Sequence, residues 1–335
     1  MARILVTGNA GLLGSHLANW FIKTKHDVWG IDDLSNGDLR NVSPSTKFVQ
    51  VDLKDKQKTN ATIMAIKPDI IYHLAAWPHE GLSQFAPIKV TENNFNIALN
   101  VLIPAIKNKV KKFIFFSSMA RYGNQEAPFS EDMPTKPHDI YAVSKVAFEQ
   151  TLQILGKVHD IPWTIIVPHN VFGIGQSLTD PYRNVIGIFM NRIMQGKPPI
   201  IYGDGNQKRA FSYIDNFTPY AVECAFNKKT DGEIINIGPT KPFTINYLTE
   251  IVLKAFESDL KPIYYPDRPQ EVKFAYCTVN KAKKLLDYKT TIHFERGIAK
   301  MVAWAKKIGP EPFRFLDNIE LGGENIPKTW SLKEM

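Results

Sequence analysis

The feature that most restricts the fold is a spaced glycine turn set between a strand-like run and a helical pattern. Arg3–Val6 reads as a core strand, Thr7-Gly8-Asn9-Ala10-Gly11-Leu12-Leu13-Gly14 follows, and Leu12–Lys25 carries helical periodicity. In this Gly-x-x-Gly-x-x-Gly spacing, Gly8 permits a sharp turn and Gly11 lets backbone approach a pyrophosphate. Gly14 lets the helix pack closely on the strand. The free N–H groups of the helix N-terminus then favour an anion. Glycines also mark plain turns, but a strand before and a helix after favour the nucleotide reading.

The rest of the first half repeats that unit. Strand-like runs fall at Val28–Ile31, Phe48–Val51, Ile70–His73, Phe113–Ser117 and Trp163–Val167. Helical patterns fall between them at Lys56–Ile66, Ile88–Lys109 and Tyr141–His159. Such alternation predicts an α/β fold with a doubly wound parallel sheet and right-handed crossovers. After about Pro168, Pro and Gly become denser and the elements shorter. A helix is expected at Asn216–Asn227, a strand at Glu233–Ile237, and helices at Ile245–Ser258, Asn280–Leu286 and Phe294–Ile308. The expected organisation is a nucleotide-binding domain over 1–167 and, interleaved with it, a smaller mixed α/β substrate region over 168–308. The tail 309–335 has no assigned element.

Several residues at strand ends suit a dinucleotide. Asp32 closes the second strand 18 residues beyond Gly14. A carboxylate there accepts both ribose hydroxyls and repels a 2′-phosphate, favouring NAD over NADP; alternatively, it simply starts a turn. Asp52-Leu53 follows the third strand, where an acid can accept from the adenine amino group. His73-Leu74-Ala75-Ala76 ends the fourth with small residues that permit close passage. His73 itself reads as structural.

Tyr141 and Lys145 stand four apart at the start of a helix, so both side chains share one face. A phenol has an unperturbed pKa near ~10 and is a poor base at neutral pH. A neighbouring ammonium is expected to lower that value. Tyr141 can then take a proton from a substrate hydroxyl while hydride leaves the same carbon. Lys145 can also reach the nicotinamide ribose. Ser117 or Ser118, closing the fifth strand, can bond the reacting oxygen, or merely cap the strand.

Other classes find less support. The eight His are dispersed and neither Cys224 nor Cys277 has a ligand-spaced neighbour, so no metal is expected. Two cysteines give no disulfide framework. No Gly-x-Ser-x-Gly elbow is present. The net charge of +8 reads as a lysine-rich solvated surface with no nucleic-acid motif. No run approaches the ~18 apolar residues of a membrane span, and Met1-Ala2-Arg3 leaves no room for a signal peptide. A cytoplasmic location is expected.

Taken together, these residues resemble the extended short-chain dehydrogenase/reductases, and within them the UDP-glucose 4-epimerase-like sugar-nucleotide epimerases. The resemblance runs from about Ala2 to Trp304 and implies a Rossmann domain, NAD, and a nucleotide-sugar substrate. Thr7–Gly14 matches the family's glycine turn, which implies cofactor contacts from Leu12 and Leu13. Asp32-Asp33-Leu34-Ser35-Asn36-Gly37 looks like its second-strand turn, implying Asp33 and Asn36. Asn94 sits where the family has an Asn near the nicotinamide. Phe116–Gly123 looks like its Ser-Ser-x-x-x-Tyr-Gly segment, giving Ser118 the catalytic place beside Tyr141 and Lys145. Pro168-His169-Asn170-Val171-Phe172-Gly173 implies cofactor contact from Pro168 and a diphosphate contact from Asn170. Gly203–Asp215 implies that Arg209 grips the diphosphate. Arg268-Pro269-Gln270-Glu271 implies that Arg268 and Glu271 hold diphosphate and ribose. Ala275, four beyond that acid, is implied to gate the sugar's 2-substituent and to leave room for an N-acetyl group. Departures are Val167, where relatives often have Arg, and Met119 and Arg121.

Dehydratases and decarboxylases of this kind carry an acid just after the catalytic Ser or Thr, whereas Met119-Ala120-Arg121 offers none. Epimerisation at C4 needs only a base and the cofactor, and is the expected reaction. A different epimerase or a 4-keto reductase on a GDP-, CDP- or dTDP-sugar is the alternative; a silent NAD sensor leaves Ser118, Tyr141 and Lys145 without purpose. The helices at Ile88–Lys109 and Tyr141–His159 carry apolar faces beyond what the sheet covers. In the family such helices pair across a two-fold axis, so a homodimer is expected.

Overall fold

The computed structural model describes residues 1–269 and 271–335; Gln270, quoted above within Arg268–Glu271, lies outside the described residues. Six strands appear where apolar runs predict them: β1 (Arg3–Thr7), β2 (Asp27–Asp32), β3 (Lys47–Gln50), β4 (Ile70–His73), β5 (Lys112–Phe116) and β6 (Trp163–Pro168). The sheet runs β6-β5-β4-β1-β2-β3 and all neighbours are parallel.

Both faces of this sheet are covered, which is why its strands are continuously apolar. Successive side chains alternate between the faces. Leu5, Ile71, Phe113 and Phe115 pack on one side with α2 (Lys56–Ile66) and the helices Ile97–Lys107 and Ile140–Val158. Ile4, Val6, Tyr72 and Ile114 pack on the other with α1 (Leu12–Lys23) and the helix Thr218–Glu223. A third core joins Val185–Met194, Ile245–Phe256 and Phe294–Ile308 in the second region. The last of these buries Phe294, Ile298, Met301, Val302 and Ala305, one stripe at helical spacing. Among the described residues no helix is long and apolar enough to cross a membrane.

Three observations differ from the sequence reading. The strand Glu233–Ile237 does not lie apart: it pairs in parallel with β6 and becomes the seventh strand of the main sheet. It satisfies the backbone groups that an open β6 edge would leave unpaired. The Ile88–Lys109 pattern is a helix interrupted by a wide i→i+5 turn over Glu92–Asn96, between Pro87–Thr91 and Ile97–Lys107. The 309–335 tail is ordered. It crosses the second region and ends in a short helix, Lys328–Ser331, whose Trp330 is buried with Trp77, Phe85, Tyr141 and Tyr182.

Order reverses between β1 and β4, so their C-terminal ends diverge and open a crevice. Thr7 and His73 stand opposite there in register. The Thr7 hydroxyl meets His73 Nδ1 at 2.8 Å and accepts from the Leu74 and Ala75 amides at 3.2 and 3.3 Å. Burial pushes the His73 imidazole down to about 3, so it stays neutral and serves as a fixed strut. Phe148, fully buried against Phe113, Phe115 and His73, anchors the helix Ile140–Val158 to the sheet. Phe148→Ala is expected to destabilise the protein by about 3–5 kcal/mol, read from urea unfolding.

Candidate active site

The glycine turn forms the floor of a cavity of about 500 Å³. Gly8 adopts φ +71°, and a Cβ on it would stand 2.7 Å from the Ala75 amide nitrogen. A Cβ on Gly14 would stand 2.1 Å from the Gly8 carbonyl oxygen, so only glycine lets the first turn of α1 dock here. Gly11, Leu12, Leu13, Asp33, Asn36, Asp52, Leu53, Leu74, Ala75, Ala76 and Pro168 border the same cavity. Asp32 also lines it, while its carboxylate accepts from the Ala10 amide at 2.9 Å and the Leu34 amide at 2.8 Å. A side-chain-free cradle under a helix N-terminus, with a carboxylate at the end of β2, fits a dinucleotide without a 2′-phosphate.

The chemical residues enter the same cavity from β5 and the helix beyond it. Asp139 caps that helix by accepting from the Ala142 amide at 2.8 Å, which fixes Tyr141 in its first turn and Lys145 one turn on. Ser118, Tyr141 and Lys145 all border the cavity. The two serines have different fates. Ser117 also borders the cavity, but its hydroxyl is spent on Glu149, which is ion-paired at 3.0 Å with the buried Arg121. Ser118 borders the cavity with its hydroxyl accepting from the Ala120 amide at 3.2 Å, and it acts on the Tyr141 phenol in the direction of the phenolate. Arg121 therefore sits behind the pocket, whereas Met119 borders it.

The electrostatics of the pair depart from expectation. Burial, and then the negative charge of Glu80, push the Tyr141 phenol above its ordinary range, against the Ser118 hydrogen bond and Arg183. Burial pushes the Lys145 amine down to about 7, with Glu149 opposing. Lys145 Nζ donates to the Phe116 carbonyl at 2.9 Å and lies 5.7 Å from the Tyr141 ring centre. The acidified phenol anticipated from the four-residue spacing is thus corrected: desolvation outweighs the charge of an amine that is itself drawn towards neutrality.

Asn94 is a second correction. It does not border the cavity. Its amide is spent on the Trp77 backbone, with N–H accepted at 3.2 Å and C=O bonded at 3.0 Å, and on the Val90 carbonyl at 2.7 Å. The wide turn in its helix brings it there, so Asn94 braces the wall, and Asn93 is the residue that faces the cavity.

A second cavity of about 270 Å³ adjoins the first, sharing Asn170, Met119, Tyr182 and Arg183 with it. It carries Arg209, Arg268, Glu271 and Ala275. Glu271 bridges both arginines, 2.9 Å from Arg209 and 2.6 Å from Arg268. Burial would raise its carboxyl, but Arg268 and Arg209 hold it below the usual range. Glu271 is brought to both arginines, its two oxygens holding a pair of guanidinium forks. The three side chains leave one net positive charge, suited to phosphate oxygens. Ala275 lies on a two-residue strand paired with Lys208–Arg209, which places a small side chain beside that fork.

Two parts of the site were absent from the sequence reading. One is the loop after β4, Trp77-Pro78-His79-Glu80. There, burial would raise the Asp180 carboxyl, but His79 at 2.9 Å and Arg183 at 3.1 Å hold it at about 2. Glu80 borders both cavities, so the carboxylate missing after Ser118 arrives from another segment, and the inference from Met119-Ala120-Arg121 loses its force. The other part is the tail. Arg314 and Leu316 border the first cavity, Trp330 and Met335 the second. The Tyr182 hydroxyl accepts from the Leu316 amide at 3.0 Å, and Lys197 reaches the Met335 carbonyl at 2.9 Å. No periodic signal marks either segment.

Comparison with known proteins agrees with this geometry. Residues 4–238 match the NAD dependent epimerase/dehydratase family. A putative UDP-glucose 4-epimerase of Methanocaldococcus jannaschii is 33% identical over 307 residues, spanning 90% of this chain and 98% of that protein. The structure of a Thermotoga maritima UDP-glucose 4-epimerase with UDP-glucose superposes with a TM-score of 0.85 at 28% identity, covering 91% and 99% of the two chains. A Bacillus cereus UDP-glucuronic acid 4-epimerase, solved with UDP-glucuronic acid and NAD, gives 0.84 at 27% identity, covering 91% and 99%.

Gly14→Ala, by forcing α1 off the turn, is expected to weaken dinucleotide binding at least about tenfold in calorimetric titration; unchanged affinity would remove the cradle from its role.

Proposed function

The chain belongs to the NAD-dependent epimerase/dehydratase family, and from that premise we propose that it inverts C4 of a nucleotide-linked hexose, UDP-glucose/galactose or the N-acetyl forms. The observation that carries this reading is the meeting of Ser118, Tyr141 and Lys145 with the glycine cradle in one cavity, next to the arginine fork of a second. A sugar nucleotide with its diphosphate at Arg209 and Arg268 has its hexose at the junction, where Tyr141 stands.

Bound NAD supplies the hydride acceptor and, in the return step, the donor. The chain supplies the rest. Tyr141 takes the proton of the C4 hydroxyl as hydride leaves that carbon, and Ser118 bonds the same oxygen. Lys145, 2.9 Å from the Phe116 carbonyl, favours a phenolate in its protonated form, against the burial that disfavours one. The 4-keto sugar then presents its other face and Tyr141 returns the proton. Net redox change is nil, which separates an epimerase from a reductase that consumes NADH in step with product. The small Ala275 supports room for a 2-acetamido group.

We further propose a homodimer. Ile103, Val143, Ile154 and Val158, on Ile97–Lys107 and Ile140–Val158, are exposed, Val158 by 65%. Such residues on two neighbouring helices suit a shared apolar interface.

With the native protein, UDP-glucose and UDP-galactose, or their N-acetyl forms, should interconvert without net NADH change; failure with all four would sink the reading. Tyr141→Phe should lower turnover by about 10²–10⁴-fold and leave NAD affinity unchanged. Light scattering should give twice the 38.0 kDa of one chain, and Ile154→Lys with Val158→Lys a single one.

A further inference from the structure

Glu80 borders both cavities and opens the short helix Glu80–Ser83 that follows β4. It follows the buried His79, and its neighbour Gly81 lies under the Trp330 ring: a Cβ on Gly81 would be 3.2 Å from that ring and 3.9 Å from an Arg268 nitrogen. It shares the second cavity with the arginine fork and the first with Tyr141, so the residue borders the space assigned to the hexose.

Its carboxylate differs from the others around it. Asp32 is held by the Ala10 and Leu34 amides, Asp139 by the Ala142 amide, Asp180 by His79 and Arg183, and Glu271 by Arg209 and Arg268. Among the described residues Glu80 has neither an ion pair nor a side-chain hydrogen bond. The Glu80 side chain is exposed, so its carboxylate is open to whatever occupies the two cavities it borders. Desolvation by the crevice around it, and then the charge on Asp139, push its carboxyl up to about 7. Arg183, the arginine that borders both cavities with it, is committed to Asp180, and Arg209 and Arg268 of the second cavity are committed to Glu271.

We propose that Glu80 is a specificity-determining residue that accepts a hydrogen bond from a hydroxyl or amide N–H of the hexose, selecting neutral sugars over uronates. This rests on the sugar-nucleotide reading of the site and adds a substrate class to it. A neutral hexose satisfies the carboxylate. A hexuronate places a second negative charge beside it, with no uncommitted arginine at the junction to offset it, and like charges at short range are strongly disfavoured.

The test is calorimetric titration of the NAD-loaded protein at pH 8.5 with UDP, UDP-glucose and UDP-glucuronate, for the native chain and Glu80→Gln. The native chain should bind UDP-glucose at least about tenfold more tightly than UDP-glucuronate. Glu80→Gln, which keeps shape and removes charge, should shrink that ratio at least about tenfold while UDP affinity stays constant. A merely structural role would move all three ligands together, and that result, or an unchanged ratio, overturns the proposal. The two readings fail separately. The expected ratios without any sugar interconversion would leave Glu80 in its role and remove the C4 chemistry. Binding of none of the three ligands would remove the sugar-nucleotide reading and this one with it.

Discussion

The docking of the first helix onto the first strand, possible only because residues 8 and 14 lack side chains, is the constraint on which the site depends. A Cβ at Gly14 would overlap the Gly8 carbonyl, and one at Gly8 would overlap the chain leaving β4. With both absent, α1 aims its N-terminus into the gap where β1 and β4 part. The Thr7–His73 bond at 2.8 Å ties those strand ends together beneath it. A chain that lost this contact would keep its sheet and lose its crevice.

Above that floor the site is governed by desolvation more than by any single charge. The phenol is driven up and the amine down, so both reactive groups are pressed towards their neutral forms. This is the environment in which a small added charge, or a hydrogen bond from a substrate, changes a proton's position most. The buried Arg121–Glu149 pair lies just behind and carries fixed charge without exposing it to the cavity, whereas Asp180 and Arg183 border it as a pair.

Much of the fold was legible because a doubly covered sheet demands continuous apolar strands, and those runs were present from Ile4 to Ile166. The glycine turn, Asp32, Ser118, Tyr141 and Lys145 were legible because each sits at a strand end or a helix start, where position follows from topology. What was not legible has a common cause. Asn94 turns away from the cavity because of a wide helical turn that apolar spacing does not reveal. Glu271 takes up two arginines because segments 66 residues apart meet at one short strand pair, Phe274–Ala275 with Lys208–Arg209. Glu80 and Trp330 belong to segments without period, whose placement depends on the tertiary walls they complete. The sign of the Tyr141 shift depends on burial, which spacing alone cannot supply.

The seventh strand has a consequence for how the protein is made. Glu233–Ile237 closes the sheet beside β6, although 64 residues of the second region separate the two in the chain. On the ribosome, then, the nucleotide scaffold cannot finish when residue 168 emerges. Its last edge stays open until nearly three quarters of the chain has been translated, and an open parallel edge is prone to pair with other nascent strands. Chaperone demand during synthesis should peak in that interval.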